Sequence, residues 1–180
     1  MVVSTSTLGN RIVLMTGPGK GKTTAALGMA LRAWGHGMRV LVVQFVKSNR
    51  RTGEFAALEK LPGVAVDVVG KGFLPPNDSD AFAEHVNAAR EGLQRVQERI
   101  ESEAFQMVVL DEVAYAAANG LLTADDIHAV VEASPEGTVF VLTGRNAPPS
   151  LVRLADTVSE VMDRKHAYRN GVGPQAGVEY

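Results

Sequence analysis

The chain has 180 residues, 46% hydrophobic and 21% charged, with a formal net charge of −2 at pH 7. That length suits one domain with a substantial core, and the slight negative charge speaks against bulk attraction to nucleic acid or an anionic membrane. With no cysteine in the chain, disulfides, thiolate catalysis and cysteine-ligated metal are excluded.

Residues 1–10 are small and polar and read as a loose arm. Arg11-Ile12-Val13-Leu14-Met15 is a short apolar run, predicted as a buried strand. Thr16-Gly17-Pro18-Gly19-Lys20-Gly21-Lys22-Thr23-Thr24 follows, and then a helix over 24–33 that stops at Gly35-His36-Gly37. The run 38–45 is a second strand, apolar enough to be buried on both faces. Residues 47–51 form a basic, polar stretch at its carboxyl end, the edge where open α/β sheets take ligands. A short helix is expected over 53–60, a third strand over 64–69, and an irregular loop over 70–78. Ser79 or Asp80 caps a long helix to about 103. Its stripe Phe82, Val86, Ala89, Leu93, Val96 and Ile100 faces the core, while Arg90, Glu91, Gln94, Arg95, Gln97, Glu98 and Arg99 make a solvated face. The fourth strand, 105–112, ends in Asp111-Glu112. A short helix runs through 115–118, and Thr123-Ala124-Asp125-Asp126 reads as a capping box for a helix to about 133. The fifth strand is 138–143, Pro148 opens a short helix, and 157–162 is a sixth, partly amphipathic strand. Residues 163–180 form an irregular tail.

Strands alternating with helices predict a single α/β domain over 1–180: three layers, with a mostly parallel sheet and helices on both faces. No apolar run approaches the roughly twenty residues that span a bilayer, so no membrane partner is expected. The first residues carry neither a basic leader nor a long apolar one, which makes the cytoplasm the expected address.

The chemistry concentrates at the glycine-rich turn. Strand, glycine-rich loop, Gly-Lys-Thr and helix is the context of a phosphate-binding P-loop. Glycines let backbone N–H groups converge on phosphate oxygens, and the helix N-terminus adds orphan donors. Lys22 would reach the terminal phosphates and Thr23 would ligate Mg²⁺. The loop departs from the usual G-x-x-x-x-G-K-[ST]: Gly17 stands only three residues before Gly21, and Thr16 occupies the first glycine's position. Asp111 and Glu112 are read as the metal-holding half of such a site, against a strand end that merely meets solvent. Arg145 leaves the fifth strand at the ligand edge and binds either an anion or a neighbouring carboxylate. Arg32 reads as a surface residue, His166 stays ambiguous, and Phe73 is either core or a stacking surface. No side chain other than the two acids offers a general base, so chemistry alone stops at a Mg²⁺–nucleoside triphosphate site.

Taken together, these stretches resemble the P-loop ATP:corrinoid adenosyltransferases (the CobA/BtuR/CobO family) from Arg11 to Tyr180. The residues that carry the likeness are Thr16 to Ala26, Arg32-Ala-Trp-Gly-His-Gly37, Val42-Val-Gln-Phe-Val-Lys47 and Gly72-Phe73. Val109-Leu-Asp-Glu112, Leu142-Thr-Gly-Arg145 and Leu154 to Glu160 continue it. The tail, Lys165-His-Ala-Tyr168 through Gly171-Val172, Gln175 and Gly177-Val-Glu-Tyr180, completes it.

The resemblance implies a P-loop NTPase, RecA-like architecture and a cob(I)yrinic acid a,c-diamide adenosyltransferase. Co(I) of a reduced corrinoid, cob(I)alamin or an earlier corrinoid, attacks the 5′ carbon of ATP. Adenosylcobalamin forms and inorganic triphosphate leaves, with the nucleotide reversed in the loop. Because Co(I) is itself the nucleophile, no base is needed. Gly17, Pro18, Gly19, Lys20, Gly21, Lys22 and Thr23 would hold the triphosphate, with Thr24 adjoining. Lys22, Thr23 and Glu112 would carry the chemistry. Thr23, Glu112 and Asp111 would hold Mg²⁺ or Mn²⁺. Arg32, Arg145 and His166 would stand near the nucleotide, and Phe73 near the corrinoid. A homodimer and a flavoprotein reductant are implied as well. The chain departs from the family at Leu74-Pro75, where relatives often have Thr-Trp, and at Asn146-Ala147-Pro148-Pro149, where they often have Gly-Cys-His-Arg. The alternatives left by the residues themselves are a P-loop ATPase or phosphotransferase and a non-catalytic, nucleotide-responsive corrinoid-binding module.

Overall fold

A computed structural model describes residues 9–48 and 52–179. Most of the expected N-terminal arm, the end of the basic stretch at 49–51, and Tyr180 lie outside the described residues. The elements are β1 (Arg11–Thr16), α1 (Lys22–Gly35), β2 (Val40–Gln44), α2 (Gly53–Leu58), β3 (Val64–Val68), α3 (Asp80–Glu103) and β4 (Met107–Asp111). They continue with α4 (Val113–Ala118), α5 (Ala124–Ala133), β5 (Val139–Thr143), α6 (Pro149–Leu154), β6 (Thr157–Glu160) and a 3₁₀ turn at Ala167–Asn170.

The six strands form one sheet in the order β3-β2-β4-β5-β1-β6, and every pairing is parallel. Parallel neighbours demand crossover helices, and these cover both faces. On one face Ala26, Ala30 and Ala33 of α1 pack on Val40, Val42, Val109 and Val141. On the other, Leu93, Val96 and Ile100 of α3 and Ile127 of α5 pack on Leu41, Val108, Phe140 and Leu142. Both faces of β2 and β4 are therefore dry, as their unbroken apolar runs predict.

Local signals act where expected. The Ser79 hydroxyl accepts from Phe82 N at 3.2 Å and caps α3. Thr123 and Asp126 form the reciprocal capping box of α5. Two expectations are corrected. β6 buries no face: among the described residues it pairs only with β1, and all four of its residues are exposed. Arg99 is not a free surface charge. It donates to Asp67 (2.9 Å) and Glu103 (2.7 Å) and lies over the Phe105 ring.

The topology sets the site. The carboxyl ends of β1 and β4 are separated only by β5, so strand spacing of ~4.8 Å brings the glycine-rich loop and the paired acids to within reach of one cleft.

Candidate active site at the carboxyl edge of the sheet

The loop between β1 and α1 is wound tightly against the exit of β6. A Cβ at Gly17 would stand 2.5 Å from the Val161 carbonyl oxygen, and one at Gly19 would stand 2.6 Å from it. Gly19 N donates to that oxygen at 2.7 Å, and Lys20 N donates to Asp163 Oδ1 at 3.0 Å. At Gly21 the constraint is conformational instead: φ is 116° and its Cβ direction is open. α1 then starts without a side-chain cap. The amides of Gly21, Lys22, Thr23 and Thr24 find no partner among the described residues. They form a set of unspent donors at the positive end of a fourteen-residue helix.

Lys22 is buried, and its Nζ donates to the carbonyls of Gly17 (2.8 Å) and Gly19 (2.7 Å). Burial, and secondarily the Arg145 guanidinium, hold its ammonium below the usual lysine range. An ammonium in this state gains from an arriving anion, which restores the charge balance that burial upsets.

Asp111 is buried at the end of β4 and fully engaged. Oδ1 accepts from the hydroxyls of Thr23 (2.8 Å) and Thr143 (2.7 Å), and Oδ2 accepts from Gln44 Nε2 (3.1 Å). Lys47 Nζ stands 3.8 Å from Oδ2. Glu112 adopts φ 60°, a left-handed conformation that a non-glycine residue enters at a cost. Its amide is held there by Thr143 Oγ1 at 2.9 Å. The turn aims Glu112 into the cleft, where burial, and then the neighbouring Asp111, push its carboxyl above the usual range.

The cleft has a volume of about 590 Å³. Its floor is the loop from Gly19 to Thr24; Lys47, Glu54, Glu112 and Arg145 form one rim, and His166 and Gly177-Val178-Glu179 form the other. Among the described residues, no group of three or more His, Cys, Asp or Glu side chains could hold a metal by itself. The oxygen groups nearest one another are Thr23 and Asp111, which are hydrogen-bonded, with Glu112 and Glu54 lining the same cleft as Thr23. The buried Gln44 Oε1 beside them has no partner. Hard oxygen donors with room for phosphate and water fit Mg²⁺ rather than a softer ion.

Of the residues expected at the site, Gly19, Lys20, Gly21, Lys22, Thr23, Thr24, Glu112, Arg145 and His166 all line this cleft. Gly17 is buried beneath it, Asp111 sits below Thr23, and Pro18 lines a neighbouring hollow. His166 Nδ1 accepts from Tyr168 N at 3.3 Å. The Lys20 side chain is spent on the tail: its Nζ donates to Val178 O at 2.6 Å and lies 3.7 Å from Glu179. Arg32 is exposed near the far end of α1 and is absent from the cleft's lining. Phe73 is also outside the lining and fully exposed. Its loop is docked on the chain leaving β2, with Gly72 N donating to Val46 O at 2.8 Å.

Sequence reasoning missed Gln44, Glu54, Thr143 and Asp163. Gln44 carried a signal, a lone amide in an otherwise apolar strand. Thr143 carried a weaker one, a hydroxyl at the carboxyl end of the strand between the loop and the acids. Nothing in the local pattern distinguishes Glu54 or Asp163.

Comparison with known proteins places these features in a family. The model of the ATP:corrinoid adenosyltransferase BtuR/CobO/CobP family matches residues 9–180. A corrinoid adenosyltransferase of Escherichia coli K12 is 38% identical over 169 residues, covering 94% of this chain and 85% of the relative. The corrinoid adenosyltransferase CobA of Salmonella typhimurium is 39% identical over 170 residues, covering 94% and 85%. In fold, the chain is similar to the flagellar accessory protein FlaH of Methanocaldococcus jannaschii. The TM-score is 0.53 at 13% identity, over 84% of this chain and 70% of that one.

Proposed function

The chain belongs to the ATP:corrinoid adenosyltransferase family, and from that premise we propose how its cleft performs ATP-dependent adenosyl transfer to a corrinoid. The triphosphate of ATP lies on the amides of Gly21 to Thr24, with Lys22 beneath it and Arg145 at the rim. The 5′ carbon faces outward, toward the cobalt. Co(I) donates its electron pair to that carbon and the carbon–oxygen bond breaks. The pair from that bond leaves on inorganic triphosphate. Cobalt is formally oxidised and no proton is transferred, so the step asks for no general base from the acids Glu54 and Glu112 that line the cleft.

The protein's share is alignment and charge. Holding the two reactants in line converts a bimolecular encounter into an oriented one. Loop amides and the Lys22 ammonium meet the charge that gathers on the departing triphosphate. Thr23, Glu112 and Asp111 would hold Mg²⁺ (or Mn²⁺), which when bound supplies further neutralisation of that leaving group. What supports this assignment is that Glu112 is turned into the cleft at a conformational cost, with its charge unmatched by any bonded cation. His166 and Arg145 border the nucleotide, and Phe73 marks the corrinoid side. On the same family reading, the chain is one domain that works as a cytoplasmic homodimer and receives its Co(I) corrinoid from a flavoprotein reductant.

The observation that carries the reading is the convergence of four unpartnered amides, Lys22, Thr23 and Glu112 on one cleft. The test is anaerobic incubation with ATP, Mg²⁺ and chemically reduced cobalamin. A light-sensitive cobalt–carbon product, formed one-to-one with triphosphate, is the expected outcome, and Lys22→Ala abolishes it. Phosphate release without corrinoid would instead mark an ATPase, and tight binding of both substrates without product a binding module.

A further inference from the structure

A carboxylate facing a phosphate-binding loop is unexpected, because its charge opposes the ligand. Asp163 is such a group. Its side chain is only 11% exposed, and it follows β6 at the point where the chain crosses over the loop. One oxygen accepts from Lys20 N at 3.0 Å, and the other stands 3.8 Å from Arg169 Nη2, which offsets its charge. Two residues earlier, Val161 O accepts from Gly19 N. Within the first half of the loop, Gly19 and Lys20 have therefore given their amide donors to the chain's own acceptors. The second half, Gly21 to Thr24, has not. The Lys20 side chain is likewise committed, to Val178 O and Glu179 of the tail that walls the cleft.

We propose that Asp163 is a positioning residue for the loop: it takes the Lys20 amide out of the phosphate-binding set and thereby confines the triphosphate to the amides of Gly21, Lys22, Thr23 and Thr24. This rests on the reading of the loop as the triphosphate cradle. It gives the shortened loop a mechanical basis. A loop of this length closes against β6 rather than around the phosphates, and Asp163 is the acceptor that holds it closed. The negative charge is secondary, since an amide oxygen at the same position accepts the same N–H bond.

The test measures binding of inorganic triphosphate by calorimetry to the full chain, to Asp163→Ala and to Asp163→Asn. Loss of a hydrogen bond to a charged acceptor should weaken Asp163→Ala about tenfold, and Asp163→Asn should recover most of that loss. A purely electrostatic role would have the opposite signature, with both variants binding more tightly than the unsubstituted chain, and would overturn the proposal. So would Asp163→Ala binding as the unsubstituted chain does. If the unsubstituted chain binds neither triphosphate nor ATP, the cradle reading fails and this inference falls with it. Amide exchange on the unsubstituted chain needs no variant. The Lys20 N–H should be protected before ligand is added, whereas those of Gly21 to Thr24 become protected only with triphosphate. A Lys20 amide that exchanges freely until triphosphate arrives would overturn the proposal.

Discussion

The Thr143 hydroxyl donates to Asp111 Oδ1 at 2.7 Å and accepts from Glu112 N at 2.9 Å, so one side chain fixes both acids at the end of β4. It can do so because β5 lies between β4 and β1 in the sheet. Thr143→Val keeps the shape and removes both bonds. A buried carboxylate and a buried amide then lose a partner, which costs about 2 kcal/mol. For a chain of this size the melting temperature should fall by about 4–8 °C. The loss of adenosyl transfer in the folded fraction should exceed any loss of ATP binding, because Glu112 is freed from its left-handed turn. A variant with native melting and native turnover would show that the hydroxyl is a bystander.

Glu112 makes the ligand-free protein pH-sensitive in a direction opposite to most carboxylates. Its folded pKa is raised above the ordinary 4.5, chiefly by burial and then by Asp111. Between these two values the folded state binds more protons than the unfolded state, so stability falls as pH rises through that window and does not return above it. Glu112→Gln removes the titration. In metal-free buffer this variant should therefore melt higher than the unsubstituted chain at pH 8, while the difference shrinks at pH 4.5. Its adenosyl transfer should be lost at both. Melting curves at the two pH values, with chelator present, decide it; a variant less stable at pH 8 would rule out the unmatched charge.

The sheet, its crossover helices and the caps were legible in the sequence because each is written locally. Unbroken apolar runs mark β2 and β4, a 3.6-residue stripe marks α3, and Thr123 with Asp126 marks the start of α5. The loop and the acids were legible for the same reason. What escaped is what depends on neighbours across the sheet. Thr143 bonds residues about thirty positions away, and Asp163 reaches Lys20 across 143. Nothing near 163 in the chain distinguishes that aspartate from a surface one. Arg99 escaped likewise: it lies on the polar side of α3 by periodicity, yet Asp67 of β3 waits opposite.

Arg99 therefore separates stability from function. It bonds Asp67 and Glu103 and stacks at 5.3 Å over Phe105, which also lies under Arg39. A partly exposed ion-pair network with a cation–π contact is worth about 1–2 kcal/mol. Arg99→Ala should lower stability by about that amount in urea titration, with Arg99→Lys intermediate because a lysine keeps one charge but not the planar fork. Steady-state constants of the folded Arg99→Ala enzyme for ATP and corrinoid should be unchanged. A shift in either KM would tie this side of the molecule to the site.

Phe73 is the converse case. It is fully exposed, so it adds nothing to the core, yet its loop is pinned rather than free. Gly72 donates to Val46 O, and a Cβ at Gly70 would run into the Val46 carbonyl, so the glycines allow the loop to sit against the chain that leads to Lys47 at the cleft rim. An aromatic ring held in water on a docked loop loses nothing in stability when truncated, but gives up a flat apolar surface for a large ring system. Phe73→Ala should leave the melting temperature and the KM for ATP unchanged and raise the KM for reduced cobalamin about tenfold, the scale of a lost stacking contact of roughly 1–1.5 kcal/mol. The separation between the two substrates is the decisive reading. Equal effects on both KM values would place Phe73 in general loop packing, and no effect on either would remove it from the corrinoid side altogether.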